Sequence, residues 1–156
     1  MQPSADLDAI TDAVLGASRV LVSISSRSLA QVADEVTLPQ YRALVVLQSR
    51  GPQPAHVLAS ELQIVPSSAT RLCDRLEAKG LIAREPLAGN RRELRVQVTE
   101  EGAAIVGAVS RRRREELRRV VRAMEDEDRG TLVGALEAFN RAAGEVPEGE
   151  WYLGWA

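Results

Sequence analysis

Between Pro54 and Thr99 the chain reads PAHVLASELQIVPSSATRLCDRLEAKGLIAREPLAGNRRELRVQVT, and this stretch leaves the fold little choice. Val57, Leu58, Glu61 and Leu62 recur at helical spacing. After a short break Ala69, Leu72, Cys73 and Leu76 do so again, which predicts two helices joined by a tight turn. The other face of the second helix carries Ser67, Ser68, Thr70, Arg71, Asp74 and Arg75. Short hydroxyls near a helix start, with arginines one and two turns on, suit a helix that enters a major groove end first and reads base edges. Lys79-Gly80 stops it, because a glycine just past the last apolar position can take the left-handed conformation that ends a helix. The chain then turns extended: Leu81 to Glu85 and Leu94 to Val98 bracket a turn at Pro86, Gly89 and Asn90. Leu94, Val96 and Val98 alternate with Arg95 and Gln97, predicting a strand with one buried face. The hairpin tip presents Asn90, Arg91 and Arg92, and paired arginines there can push a guanidinium into a narrow minor groove. Helix-turn-helix plus hairpin is a winged helix.

The segment resembles the winged helix-turn-helix of MarR family transcriptional regulators. The resemblance is carried by Leu58-Ala59, Ser67-Ser68-Ala69-Thr70-Arg71-Leu72, Asp74-Arg75-Leu76-Glu77, Lys79-Gly80-Leu81-Ile82, Arg91-Arg92, Val96, Val98-Thr99 and Gly102, in that order. Three positions depart from the family pattern. Asn90 stands in place of an aspartate paired with the wing arginine, Gln63 in place of the turn glycine, and Val65 in place of a Ser or Thr cap. The resemblance implies a homodimer on a pseudo-palindromic operator, with Ser67, Ser68, Thr70, Arg71 and Arg75 in the major groove and Asn90, Arg91 and Arg92 on the wing. Within the wing it puts Arg92 in the minor groove and Arg91 on phosphate. It further implies a repressor released by a small, frequently anionic aromatic effector. The rival readings are a winged helix used as a protein-interaction module, and a regulator that activates or needs no ligand.

Long amphipathic segments flank the head. Leu7, Ile10, Val14, Ala17, Leu21 and Ile24 alternate three- and four-residue steps, the seam one helix offers to others. A helix from Ser4, a potential cap, to about Ala33 would be on the order of 40 Å long. That exceeds what a domain of this size needs, so part of it should meet another chain. The serines between Ser23 and Ser28 compete for backbone hydrogen bonds and should loosen it. Thr37-Leu38-Pro39-Gln40 is a capping box, with Val36 and Tyr41 at the staple positions, and the following helix carries Tyr41, Leu44, Val45 and Leu47 before breaking at Gly51-Pro52. Thr99 caps a long helix with the stripe Ile105, Val109, Leu117, Val120, Val121 and Met124. Glu125 to Asp128 turn a corner into a last helix with Leu132, Val133, Leu136 and Phe139. The expected organisation is one mostly α domain with a small β wing. Residues 1–35 and 100–146 form dimerisation helices, with Leu7, Ile10, Val14, Leu117, Val121, Leu132, Leu136 and Phe139 at the contact. Residues 37–99 form the winged helix, and 147–156 an aromatic tail, Trp151 to Trp155, that docks on the dimer layer.

Charge is zoned. Between Pro66 and Arg95 lie seven basic and four acidic residues, in a chain of 156 residues whose formal net charge is -2. A locally positive face on an acidic body lets a protein touch phosphates without adhering to every duplex. Among the arginines from Arg111 to Arg122, Arg111 with Glu115, Arg112 with Glu116 and Glu115 with Arg119 are four-residue pairs, the pattern of a laced and solvated face. One cysteine excludes an intrachain disulfide, and Cys73 falls among core positions, away from the first helix where peroxide-sensing relatives keep their thiol. One histidine, His56, excludes a multi-histidine metal site. There is no phosphate-cradling glycine loop and no nucleophile constellation. No enzyme activity and no cofactor are expected. With no membrane-spanning run and no secretory signal, the cytoplasm is the expected compartment.

Overall fold

The computed structural model describes residues 6–147, the side chain of Arg91 excepted; the Ser4 cap and the Trp151 to Trp155 tail lie outside it. The order is α1 (Leu7–Ala30), α2 (Leu38–Arg50), β1 (Gln53–Pro54), α3 (Ala55–Leu62), α4 (Pro66–Ala78), β2 (Ile82–Leu87), β3 (Asn90–Val98), α5 (Glu100–Arg122) and α6 (Asp126–Ala143). The result is a mostly helical fold with a small antiparallel wing.

Asp6 starts α1, its Oδ1 accepting the Asp8 amide at 3.1 Å. The serine-rich stretch does not loosen this helix. Buried Ser28 donates to the Ile24 carbonyl at 2.8 Å, and the Ser23 hydroxyl accepts from Arg27 at 2.6 Å, so the hydroxyls spend themselves within the helix. The helix ends at Ala30 rather than Ala33, where the chain turns so that Val32 and Val36 enter the core. The capping box before α2 forms as expected: Thr37 Oγ1 accepts the Gln40 amide and Gln40 Oε1 the Thr37 amide, while Val36 and Tyr41 are both buried.

Gly51 does end α2, but the next two residues form β1, which the sequence reading missed. Gln53 pairs with Val96 and Pro54 with Arg95, giving the sheet order β1-β3-β2. Two residues carry no period, and a proline is tolerated only because this strand is an edge. In α3 the buried residues are Leu58, Ala59 and Leu62; Glu61 faces out, 3.3 Å from Arg50 on α2. The wing strands run further than expected, so the tip is Ala88-Gly89 and Asn90, Arg91 and Arg92 begin β3. Val96 is buried, whereas Leu94, on the outer part of the wing, is not.

One core joins the helices and the sheet, with Leu44, Leu47, Leu58, Leu72, Leu76, Ile82, Val96 and Val106 among its members. At the start of α5 the fit is tightest. A Cβ on Gly102 would lie 2.2 Å from the Leu81 carbonyl oxygen and 2.8 Å from Val98 Cγ2. Thr99 knots the same place: its hydroxyl donates to the Gly80 carbonyl at 2.7 Å and accepts the Gly102 amide at 3.2 Å. Further along, Arg27 of α1 grips Glu116 of α5 through Nε at 2.9 Å and a second nitrogen at 2.5 Å. That hydrogen bonding outweighs burial and holds the Glu116 carboxyl below its ordinary range, so the strap between α1 and α5 is ionised at neutral pH. Of the expected four-residue pairs, Arg112 reaches Glu116 at 3.6 Å. Arg129 closes the α5–α6 corner, donating to the Val121 and Arg122 carbonyls and pairing with Asp126.

Candidate nucleic-acid interface

The helix α4 is entered through an interrupted cap. Gln63 ends α3 at φ 56°, and it is the one non-glycine residue with positive φ among those described. The left-handed turn that a glycine serves without strain is therefore made by a glutamine. Val65 holds the extended geometry of a cap before α4 but supplies no hydrogen bond, and it is 61% exposed. A hydroxyl there would satisfy one of the amides left open at the start of α4. We expect Val65→Ser to stabilise the fold by about 1 kcal/mol, read as a raised midpoint in a urea titration; an unchanged midpoint would mean that water already satisfies those amides.

Ala69, Leu72, Cys73 and Leu76 bury one side of α4, and Ser67, Thr70, Arg71, Asp74 and Arg75 stand exposed on the other, with Ser68 half-buried. Thr70 donates to the Pro66 carbonyl at 3.1 Å, which leaves its oxygen facing out as an acceptor. No ion pair to a described residue holds Arg71 or Arg75, so both guanidinium groups are open to an anionic partner. Burial raises the Cys73 thiol despite the nearby Arg84 charge, and Asp74 and Glu77 push it the same way, so it is a core thiol and a weak nucleophile. His56 is exposed on α3.

Two basic residues counted toward the positive face are occupied internally. Arg84 of β2 forks onto α4, 2.7 Å from Asp74 Oδ1 and also bonded to Glu77 Oε2. Burial opposes the charge of this guanidinium, but the two carboxylates outweigh it, and its pKa rises. The fork matters to the site: its single positive charge offsets one of the two negative charges on α4, and it ties the wing to that helix. Nothing in the local pattern pointed to this pairing, since the partners lie seven and ten residues away across a helix–strand turn. Lys79 is likewise committed, to the α1–α2 turn. Among the described side chains, the exposed and uncommitted positive charge of this segment is carried by Arg71 and Arg75 on α4 and by Arg92 on β3, with Arg95 half-buried. Asn90 Oδ1 accepts the Arg92 amide at 3.2 Å, so the residue standing in for aspartate still organises the start of β3.

This winged helix has known counterparts. The family model described as MarR family matches residues 36–94. The crystal structure of RV1404 from Mycobacterium tuberculosis is 43% identical, with a TM-score of 0.82, over 93% of this chain and 99% of that one. The chain belongs to the MarR family. The HTH-type transcriptional regulator MT0903.1 of the same organism is 30% identical over 112 residues, covering 72% of this chain and 78% of the relative. A MarR family protein from Bacillus stearothermophilus is 21% identical with a TM-score of 0.76, over 91% of this chain and all of that one, a likeness of fold. As a MarR protein the chain is a winged-helix DNA-binding regulator of transcription rather than an enzyme. Among the described residues no helix is long and apolar enough to cross a membrane.

Proposed function

We propose that the protein is a homodimeric regulator that binds a pseudo-palindromic operator, most simply as a repressor. Ser67, Ser68, Thr70, Arg71 and Arg75 read the major groove, and Asn90, Arg91 and Arg92 engage the minor-groove side. The observation that carries this reading is the outward face of α4, where Arg71 and Arg75 stand open while Arg84 engages both Asp74 and Glu77 and offsets half of their negative charge. The dimer is supported by apolar surface that one chain leaves bare. Leu7 is 75% exposed, Ile10, Val14, Val121, Leu136 and Phe139 are exposed as well, Leu117 and Leu132 are half-buried, and α6 buries no residue. Continuous apolar faces of this kind mark association sites. A two-fold then sets the two α4 helices one DNA turn apart, roughly 34 Å.

A small effector fits the same scheme. An open cleft of about 400 Å³ between α1 and α5 is lined by Arg19, Val20, Ser23, Ile24, Arg27 and Val120; Arg27 is held by Glu116, which leaves apolar walls with the Arg19 guanidinium at hand for an aromatic carboxylate. Release requires that such a compound bind more tightly to a dimer spacing that cannot span two half-sites.

Fluorescence anisotropy of labelled duplex across a salt series tests the DNA role. Log Kd should rise steeply and linearly with log salt, and Arg92→Ala should lower the slope by about one unit per half-site. Weak, sequence-blind binding with a flat salt response would instead favour an acidic protein partner for the same face.

A further inference from the structure

We infer that Lys79 is a positioning residue that transmits the geometry of the dimer layer to the reading helix. This rests on the proposed operator-binding dimer. Lys79 is the last turn's cap on α4, at the end of the helix far from Ser67. Lys79 lies at the surface, but its ammonium is engaged within the chain. It donates to the Glu35 carbonyl at 2.6 Å and to Gln40 Oε1 at 3.1 Å. Gln40 is buried, and the same oxygen accepts the Thr37 amide at 3.1 Å. Glu35 belongs to the turn between α1 and α2, flanked by buried Val32 and Val36. The other fixed point of α1 is the Arg27–Glu116 pair on α5. A shift of α1 therefore carries the Glu35 carbonyl with it, and through one short charged hydrogen bond it carries the end of α4. Hydrogen bonds to an ionised donor are about twice as strong as neutral ones, which suits a strap that must hold angle as well as contact.

Two readouts separate positioning from plain phosphate binding and from plain stability. The first is half-site spacing. The wild-type dimer should bind its selected inverted repeat at least tenfold more tightly than versions with one base pair added or removed between half-sites. Lys79→Met should weaken the correct spacing about tenfold and shrink that preference to threefold or less. The second is salt: the slope of log Kd against log salt should be unchanged in Lys79→Met, because no phosphate contact is lost. Lys79→Arg, which keeps charged donors, should restore most of the spacing preference. The melting temperature and dimer mass of each variant are measured alongside: the dimer mass should match wild type, and the melting temperature of Lys79→Met should fall by no more than about 6 °C, the loss expected for one charged hydrogen bond. A Lys79→Met protein that keeps full spacing preference, or whose salt slope falls by a unit per half-site, would overturn this role. If wild type itself ignores inverted repeats, the operator reading fails first.

Discussion

Gly102→Ala should lower stability by about 3 kcal/mol or more, a cost at the upper end of core overpacking. The added carbon would sit 2.2 Å from the Leu81 backbone oxygen, 2.8 Å from Val98 and 3.2 Å from Leu44, and a main-chain oxygen at the root of the wing cannot swing aside as a side chain would. Replacing a helical glycine normally gains up to about 1 kcal/mol, so steric conflict must overcome that gain as well. Against a total stability of about 5–15 kcal/mol the loss is severe, and the melting temperature should fall by roughly 6–12 °C. Gly134 of α6 provides the control, because nothing lies within 4 Å of the position its Cβ would take. Gly134→Ala should leave the melting temperature unchanged or raise it. Circular dichroism melts of the two variants check both statements, and a Gly102→Ala protein melting like wild type would show that the α5–wing junction is looser than described.

Arg71→Ala should weaken operator binding by at least about 30-fold, because a well-formed base contact is worth roughly 1–3 kcal/mol and a two-fold complex loses it at both half-sites. Arg71 makes no internal ion pair with a described residue, so its removal exposes no buried partner, and the melting temperature should stay put. The loss should also be uneven across sequences. A substituted operator base opposite Arg71 should cost the wild type affinity and cost the variant almost none, whereas Arg92→Ala should weaken all duplexes alike. Anisotropy titrations on a small set of operator variants measure this. A uniform loss across sequences would move Arg71 from base reading to phosphate contact.

Much of this was legible from residue order alone, for physical reasons. Helical periods, the Thr37–Gln40 box, the Lys79-Gly80 stop and the Thr99 cap are local signals, and each appears where its spacing placed it. What escaped was either too short or too distant. A two-residue strand such as β1 carries no period. The extra length of β2 and β3 is decided by cross-strand pairing. Glu61, at a helical spacing shared with leucines, lies outside the face that Leu58, Ala59 and Leu62 bury and meets Arg50, a residue on another helix. On α4 the sequence separated the exposed side from the buried one, but could not tell open charge from committed charge: Arg84 and Lys79 look like Arg71 and Arg75 on paper, and only the fold reveals their partners. Gln63 and Val65 are the reverse case, where departures from a family pattern show as a strained turn and an empty cap without altering the fold.

Selecting bound duplexes from a random pool at near-physiological salt tests the central claim most directly. The account predicts enrichment of an inverted repeat whose half-site centres lie about one helical turn apart, bound by two chains. Enrichment of a single unrepeated site by one chain, or no enrichment above the starting pool, would contradict it.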